Sequence, residues 1–270
     1  MTTLDVQYSP SALVPDLSVT LAEYHARSAR ARAGLEFRTL RYGPGARMAL
    51  DFFPAAQPAA PLFAYVHGGF WQEMGKEDFS FPALDLVPAG IAFAALGYGL
   101  APACTLDEIV ASVRRGLRWL VAQATGLGAD PRRVHIGGSS AGAHLAAMAL
   151  SDGSGPSFAS ATLVSGVYDL EPIRHSYVND PLGLDATAAH RNSPIHHLPA
   201  RLPPTIVAGG AIETDEFARQ HTDFAAAIAS RAESLDEFVV TGRNHFDVTF
   251  DLTDRTTALG SALLARLTAI

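Results

Sequence analysis

Two serines stand side by side between glycines in the stretch GGSSAG at 137–142, and this spacing is typical of a nucleophile turn. A strand that turns sharply into a helix through Gly-x-Ser-x-Gly exposes the serine hydroxyl, and the residues two before and two after it must be small because they are pressed together. The following helix points free N–H groups toward developing negative charge. The pattern therefore predicts a serine that attacks a carbonyl carbon.

The register of this turn decides which serine is the nucleophile. With Ser139 as nucleophile one of the two flanking residues is Ala141, whereas with Ser140 both flanks, Gly138 and Gly142, are glycine. Both registers are sterically acceptable, but only the second places glycine at both crowded positions. We therefore predict Ser140, with Ser139 and a plain Gly/Ser turn without chemistry as the alternatives.

A His-Gly-Gly sequence at 67–69 closes an earlier apolar run, LFAYVH. Glycines at this point let backbone N–H groups approach a substrate oxygen without a side chain in the way, as in the oxyanion loops of hydrolases. We predict an oxyanion hole formed by the N–H groups of Gly68, Gly69 and Ala141. A simple glycine turn is the alternative interpretation.

The general base should be a histidine near the C-terminus, because folds with this turn order their triad as serine, acid and histidine. His245 lies in TGRNHFDV at 241–248, between the last predicted strand and the last predicted helix. The other histidines fit the role of general base less well. His144, for example, lies inside the predicted helix after the serines, and we interpret it as a packed residue. We predict His245.

Three carboxylates follow the predicted strand PTIVAGG, namely Glu213, Asp215 and Glu216. The loop after this strand should lie beside the histidine loop at the carboxyl edge of the sheet. Asp215 also lies at the expected N-cap position of the next helix, so the alternative interpretation is that it caps this helix and is not the catalytic acid. From these residues alone the identity of the acid stays open.

The elements that must position these loops alternate between strand and helix along the chain. Two β-type runs at 36–42 and 47–53 flank GPGA and predict a hairpin. Further strands are predicted at 62–67, 91–96, 133–138, 160–165, 204–210 and 235–240, and helices at 105–123, 141–150, 215–232 and from about 247 to 267. Because the central strands are apolar throughout, we expect an α/β fold with a mostly parallel sheet and helices on both faces.

This alternation predicts a single domain over 1–270, with one interruption at 166–203. That segment contains five prolines and no clear strand. A loop of this length inside a compact domain is usually a lid or a binding loop. We therefore predict that 166–203 forms part of the substrate pocket.

Composition excludes several classes of partner. The 270 residues carry a formal net charge of −7 without a basic run, so a nucleic-acid partner is not expected. We see no His-Glu-x-x-His, Cys/His cluster or phosphate loop, and predict neither a metal nor a cofactor. Cys104 is the one cysteine, and neither a signal-peptide pattern nor a run of ~20 apolar residues is present. We expect a cytoplasmic enzyme with a small-molecule substrate and no membrane partner; the oligomeric state stays open, a homodimer included.

Taken together, the motifs resemble the α/β-hydrolase fold and, within it, the kynurenine formamidase (arylformamidase)-like branch. The resemblance runs from about residue 36 to 260 and is carried by HGGFW, GGSSAGAHLA, SGVYDLEPI, EFARQ and NHFD. It implies a serine hydrolase that cleaves an aryl formamide such as N-formylkynurenine through an acyl-enzyme. A general carboxylesterase is the second hypothesis, and a non-catalytic ligand-binding module on the same fold is the third.

The resemblance also implies roles for particular residues. Counting back from the Glu-Phe of EFARQ, the family's acid falls at Glu213, with Asp215 as the alternative. This chain departs from the family's common pattern twice, with glutamate at the acid position and phenylalanine after His-Gly-Gly. An aromatic substrate pocket is predicted from Phe70, Trp71, Tyr168 and Phe246, with a place in the core as the alternative for each.

Overall fold

The computed structural model describes residues 2–153 and 155–269, and eight strands of this part form one sheet. The strands are β1 (Arg38–Arg41), β2 (Ala49–Phe53), β3 (Ala60–Val66), β4 (Ala92–Leu96), β5 (Ala129–Ser139), β6 (Ala161–Val164), β7 (Thr205–Ile212) and β8 (Leu235–Asn244). Their order is β1-β2-β4-β3-β5-β6-β7-β8; the pairs β1–β2 and β2–β4 are antiparallel and all other neighbours are parallel. The carboxyl ends of β3 to β8 therefore meet at one edge, where ligand sites form in such sheets.

Helices cover both faces of this sheet. They are α1 (Thr3–Gln7), α2 (Leu17–Gly34), α3 (Ala83–Leu86), α4 (Leu106–Gln123), α5 (Ala141–Leu150), α6 (Ala186–Arg191), α7 (Asp215–Ile228) and α8 (Ala258–Thr268). One hydrophobic cluster contains buried residues of α4, α5 and α7, and the other contains those of α2, α3 and α8. Successive residues of β3 alternate between them: Leu62 and Ala64 belong to the first cluster, Phe63 and Tyr65 to the second.

The predicted α/β architecture is confirmed, including the antiparallel pairing of the two runs around GPGA. The predicted helix at 105–123 is α4, and Thr105 and Glu108 form its capping box. The prediction of a last helix from about 247 was wrong at its start, because 247–252 form a 3₁₀ turn and α8 begins only at Ala258. The two N-terminal helices were not predicted.

Within the described residues, no helix combines the length and the apolar character that crossing a membrane would require. The segment 166–203 consists of short 3₁₀ turns and the six-residue α6. Its five prolines explain the absence of longer elements, because proline removes a backbone donor and restricts the residue before it.

Candidate active site

Ser140 occupies the sharp turn between β5 and α5, in a conformation that non-glycine residues rarely adopt (φ 54°, ψ −124°). A Cβ on Gly138 would lie 2.4 Å from the carbonyl carbon and oxygen of Gly142, and a Cβ on Gly142 would lie 2.0 Å from the carbonyl oxygen of Val66. Both positions predicted to be crowded, two residues before and two residues after Ser140, are therefore crowded in the structure. Ser139 is the last residue of β5, so the structure places the turn in the predicted register.

The His-Gly-Gly loop follows β3 and passes directly over this turn. A Cβ on Gly68 would lie 3.1 Å from the carbonyl oxygen of Ser139 and 3.3 Å from Cβ of Ser140. Gly69 has a φ of 102°, and a Cβ there would lie 2.3 Å from the carbonyl oxygen of Glu73. Among the described residues, the N–H groups of Gly68 and Gly69 donate no hydrogen bond. They are therefore available to a ligand beside Ser140.

The N–H group of Ala141 is available for a related reason. Ala141 is the first residue of α5, and the first N–H groups of a helix have no acceptor within the helix. The same helix end carries a partial positive charge from the aligned peptide dipoles. The three predicted donors thus lie on the residue after Ser140 and on the loop whose Gly68 approaches Ser140.

His245 lies just after β8 and forms a hydrogen bond with Glu213, which lies just after β7. Nδ1 of His245 is 3.1 Å from Oε2 of Glu213, and both side chains are about 95% buried. An ionised carboxylate only accepts hydrogen bonds, so Nδ1 carries the proton and, in the neutral ring, Nε2 is left as the acceptor. The ring of Phe217 packs on the imidazole at a centroid distance of 4.3 Å and further restricts its orientation.

The other oxygen of Glu213 is held by two donors. Oε1 accepts hydrogen bonds from the hydroxyl of Ser165 and, at 3.0 Å, from the N–H group of Gly210. Burial raises the pKa of the Glu213 carboxyl, but the neighbouring His245 and the three hydrogen bonds outweigh burial, so the net pKa is lowered. The carboxylate is therefore charged and oriented toward the histidine.

Asp215, the alternative acid, lies elsewhere. It is exposed and is contacted by the side chain of Gln7. Nor is it the helix N-cap, because Thr214 occupies that position and Asp215 is the first residue of α7. The helix begins one residue earlier than the N-cap interpretation assumed. Glu216, the third candidate, accepts hydrogen bonds from Tyr8 and Arg219.

A cavity of about 400 Å³ opens between the serine turn, the His-Gly-Gly loop and the histidine loop. Ser140 and His245 both line it, as do Phe70 and Phe246, two of the four aromatic residues predicted there. The apolar part of the lining favours a ligand with an apolar or aromatic group.

The structure corrects the other two pocket residues, because Trp71 and Tyr168 lie in the core and not in the cavity wall. Nε1 of Trp71 donates to Nδ1 of His144 at 3.1 Å, and the ring of Tyr168 stacks on Phe224 at 3.8 Å. Each ring thus packs against a helix residue, on α5 for Trp71 and on α7 for Tyr168. The predicted aromatic pocket is therefore reduced to Phe70 and Phe246.

His144 is a packed residue, as predicted, with a defined tautomer. Because Trp71 can only donate, Nδ1 of His144 is an acceptor, and Nε2 donates to the carbonyl oxygen of Asn192 at 2.7 Å. Burial lowers the pKa of His144 to about 4, so the ring is neutral near pH 7. This chain of contacts links the oxyanion loop to α5.

Several residues of the site were not predicted from the sequence. The segment 166–203 contributes a single residue, Tyr177, to the cavity lining, so its proposed role in substrate selection stays a prediction. The opposite wall comes from the N-terminal region, with Leu17, Leu21 and Tyr24 among its residues. Ser165 could have been suspected from its motif SGVYDL, but nothing in the N-terminal pattern indicated a role at the site. No group of three or more His, Cys, Asp or Glu in the described part of the chain is arranged to hold a metal ion.

Comparison with known proteins extends these observations. The family model BD-FAE matches residues 50–162. A kynurenine formamidase from Danio rerio is 34% identical over 97% of this chain and 94% of its own length, and one from Salmo salar is 37% identical over 79% and 76%. Esterase LipQ from Mycobacterium tuberculosis is 31% identical over 69% of this chain and 51% of its own length.

Solved structures show the same fold. A protein provisionally named as a thioesterase, from a Silicibacter species, superimposes with a TM-score of 0.88 over the full length of both chains at 26% identity. Esterase LipW from Mycobacterium marinum superimposes with a TM-score of 0.74 over 93% of this chain and 86% of its own, at 22% identity. The second match supports the fold alone.

Proposed function

The chain belongs to the kynurenine formamidase family of α/β-hydrolases, and on that premise we propose that it is a serine hydrolase that cleaves an aryl formamide or a related small amide or ester. The proposed machinery is Ser140 as nucleophile, His245 as base and Glu213 as acid. The single observation that carries the proposal is the hydrogen bond between His245 and Glu213 at the cavity that Ser140 lines.

In the first half of the reaction, Nε2 of His245 takes the proton of Ser140, and the serine oxygen attacks the substrate carbonyl carbon. Negative charge develops on the carbonyl oxygen and is held by the N–H groups of Gly68, Gly69 and Ala141. Loss of one such donor typically costs about 2.7–4 kcal/mol of transition-state stabilisation. Glu213 keeps the imidazole in the required tautomer and stabilises it once it is protonated.

In the second half, the imidazolium of His245 gives its proton to the departing amine or alcohol, which leaves an acyl group on Ser140. A water molecule then loses a proton to His245 and attacks the acyl carbon; as the bond from that carbon to the Ser140 oxygen breaks, the imidazolium returns the proton to the serine oxygen, and the acid is released. This sequence requires no cofactor. For a formamide the released acid is formic acid, whose single hydrogen on the acyl carbon needs little space.

The aryl formamide assignment rests on the relatives, which are named as kynurenine formamidases, together with the aromatic residues at the cavity, Phe70 and Phe246. A carboxylesterase that acts on short acyl or aryl esters is the second candidate. It is favoured by the esterase relatives and by a catalytic arrangement that suits esters equally well. A non-catalytic binding module is disfavoured, because Ser140 and His245 line the same cavity and His245 is hydrogen-bonded to Glu213.

We also propose a cytoplasmic location and a small-molecule substrate without nucleic-acid or membrane partners. The support for this part is compositional: one cysteine, a net charge of −7 and no basic run. Fractionation of cells that produce the full-length chain would test the location.

Two experiments test the catalytic proposal. A fluorophosphonate probe should modify Ser140, identified by mass spectrometry, and Ser140→Ala should abolish both labelling and hydrolysis. The matched control is Ser139→Ala, which should retain most activity; loss of labelling in this variant with the fold intact would move the nucleophile. Steady-state rates on N-formylkynurenine beside p-nitrophenyl acetate then decide between formamidase and esterase.

A further inference from the structure

The outer wall of the active-site cavity is built by the N-terminal region, which we call the N-terminal strap and define as residues 8–25. Six residues of the strap line the cavity: Pro10, Ser11, Leu17, Leu21, Tyr24 and His25. The strap precedes the first strand and lies outside the matched family model, which begins at residue 50. Nothing in the reaction described above uses it.

The first end of the strap is fixed beside the acid loop. The hydroxyl of Tyr8 donates to Glu216 at 2.9 Å and accepts from Nε2 of Gln220 at 3.2 Å. Immediately before it, the carbonyl oxygen of Gln7 accepts from Thr214, the residue after Glu213, at 2.6 Å. Tyr8 is fully buried, so the strap starts from a fixed point at α7.

The second end of the strap is fixed to the histidine loop. The hydroxyl of Tyr24 donates to the carbonyl oxygen of Phe246, the residue after His245, at 2.5 Å, and lies 2.8 Å from Oγ1 of Thr249. Its ring stacks on Phe81 at 5.5 Å and is 2% exposed. Burial raises the pKa of Tyr24 far above its usual value, so the hydroxyl remains a donor.

Between these fixed points, α2 presents one of its faces to the cavity. Leu17 and Leu21 are one helical turn apart and both line it, with Tyr24 in the next turn. Val19, on the same helix, is 65% exposed and is not part of the lining. The cavity is thus lined by two leucines of the strap as well as by Ser140 and His245.

We propose that the strap is a specificity-determining element: Leu17 and Leu21 hold the non-reacting aryl group of the substrate, and Tyr24 is a positioning residue for His245. The proposal rests on the proposed serine hydrolase function. Tyr24 acts through the backbone, because fixing the Phe246 carbonyl restricts the loop that carries the imidazole. An aryl group contacts the strap, whereas a methyl group in its place is too small to do so.

The specificity part is tested with Leu21→Ala and the matched control Val19→Ala on phenyl acetate and methyl acetate. Dividing each variant's kcat/KM by that of the wild type removes the intrinsic reactivity of each ester. For Leu21→Ala, the loss on phenyl acetate should exceed that on methyl acetate by roughly three- to tenfold, as expected for lost apolar contact. Equal losses on both esters, or the same pattern in Val19→Ala, would overturn the proposal.

A binding measurement keeps this test independent of turnover. In a Ser140→Ala background, NMR titration measures the affinity for acetanilide. Adding Leu21→Ala should weaken this affinity by roughly threefold or more, and adding Val19→Ala should leave it unchanged. If the wild type hydrolyses neither esters nor formamides, the proposed function fails, and this titration still decides whether the strap holds an aryl group. Equal affinities in both double variants would refute the strap proposal alone.

The positioning part is tested with Tyr24→Phe against Tyr42→Phe. Tyr42 is a suitable control because its buried hydroxyl also donates to a carbonyl oxygen, that of Gly97, but away from the site. Tyr24→Phe should lower kcat roughly tenfold on both esters with KM changed less than twofold, whereas Tyr42→Phe should lower thermal stability without changing kcat. Unchanged kcat per folded Tyr24→Phe enzyme would show a merely structural role.

Discussion

Replacing Glu213 by glutamine should invert the tautomer of the catalytic histidine. In the wild type, Oε1 of Glu213 accepts from Ser165 and from the N–H group of Gly210, and Oε2 accepts from Nδ1 of His245. In Glu213→Gln the amide oxygen must stay where two donors meet, which leaves the NH₂ group facing Nδ1. Nδ1 of His245 must then accept a hydrogen bond from this NH₂ group. The imidazole proton therefore moves to Nε2 and points at Ser140.

A histidine with its proton on Nε2 cannot take the serine proton, and a neutral amide cannot stabilise the imidazolium. A comparable exchange of acid for amide lowers kcat by about 10⁴-fold, which corresponds to about 5.5 kcal/mol of activation free energy. Since the hydrogen bonds from Ser165 and Gly210 survive, Glu213→Gln should unfold within a few degrees of the wild type. Glu213→Asp keeps the charge but is one methylene shorter, and should retain more activity than the amide.

The assay is steady-state hydrolysis of p-nitrophenyl acetate, normalised to folded protein by circular dichroism. The matched control is Asp215→Asn, which changes an exposed carboxylate two residues away and should keep kcat within twofold. A Glu213→Gln variant within tenfold of the wild type, together with an inactive Asp215→Asn, would refute the tautomer argument and move the acid to Asp215.

Two further predictions concern stability. Gly142→Ala should destabilise the fold by about 3 kcal/mol or more, because its Cβ would lie 2.0 Å from the Val66 carbonyl oxygen. The control Gly126→Ala, whose Cβ would have no atom within 4 Å, should change stability by less than about 1 kcal/mol. Urea denaturation measures both, and equal effects would refute the crowding argument. Burial lowers the pKa of three histidines to about 4, so the unfolded chain binds more protons below pH 6.5 and stability is lost as the pH falls from about 6.5 to 4. The three are His67, His135 and His144. Each should lower the unfolding free energy by about 2 kcal/mol between pH 7 and 5. An unfolding free energy that does not change over this range would contradict the prediction.

The sequence by itself determined the features that local geometry dictates. Glycine at 138 is required by a contact within a single turn, because a Cβ there would meet the backbone of Gly142, and the capping box of α4 satisfies backbone donors within one helical turn. The alternation of apolar strands and amphipathic helices similarly determined a parallel sheet, because each element must bury its apolar face against a neighbour. Such constraints act over a few residues and are therefore visible in the chain as written.

Tertiary structure alone decided which distant groups meet. Sequence spacing left Glu213 and Asp215 as alternatives until the end of β7 directed one carboxylate toward His245 and left the other exposed. Trp71 and Tyr168 were predicted to line the substrate pocket, but their packing against His144 and Phe224 places both in the core.

The N-terminal strap gave the weakest signal of all. The residues of α2 that become buried are Tyr24, Ser28 and Ala31. Ser28 is small and polar, and Ala31 is small and common in helices, so neither marks an apolar face in the sequence. Its hydrogen bond from Tyr24 to Phe246 joins residues 222 positions apart. Contacts over such separations exist only once the whole sheet has formed, because the chain between them must first bring the two loops to the same edge.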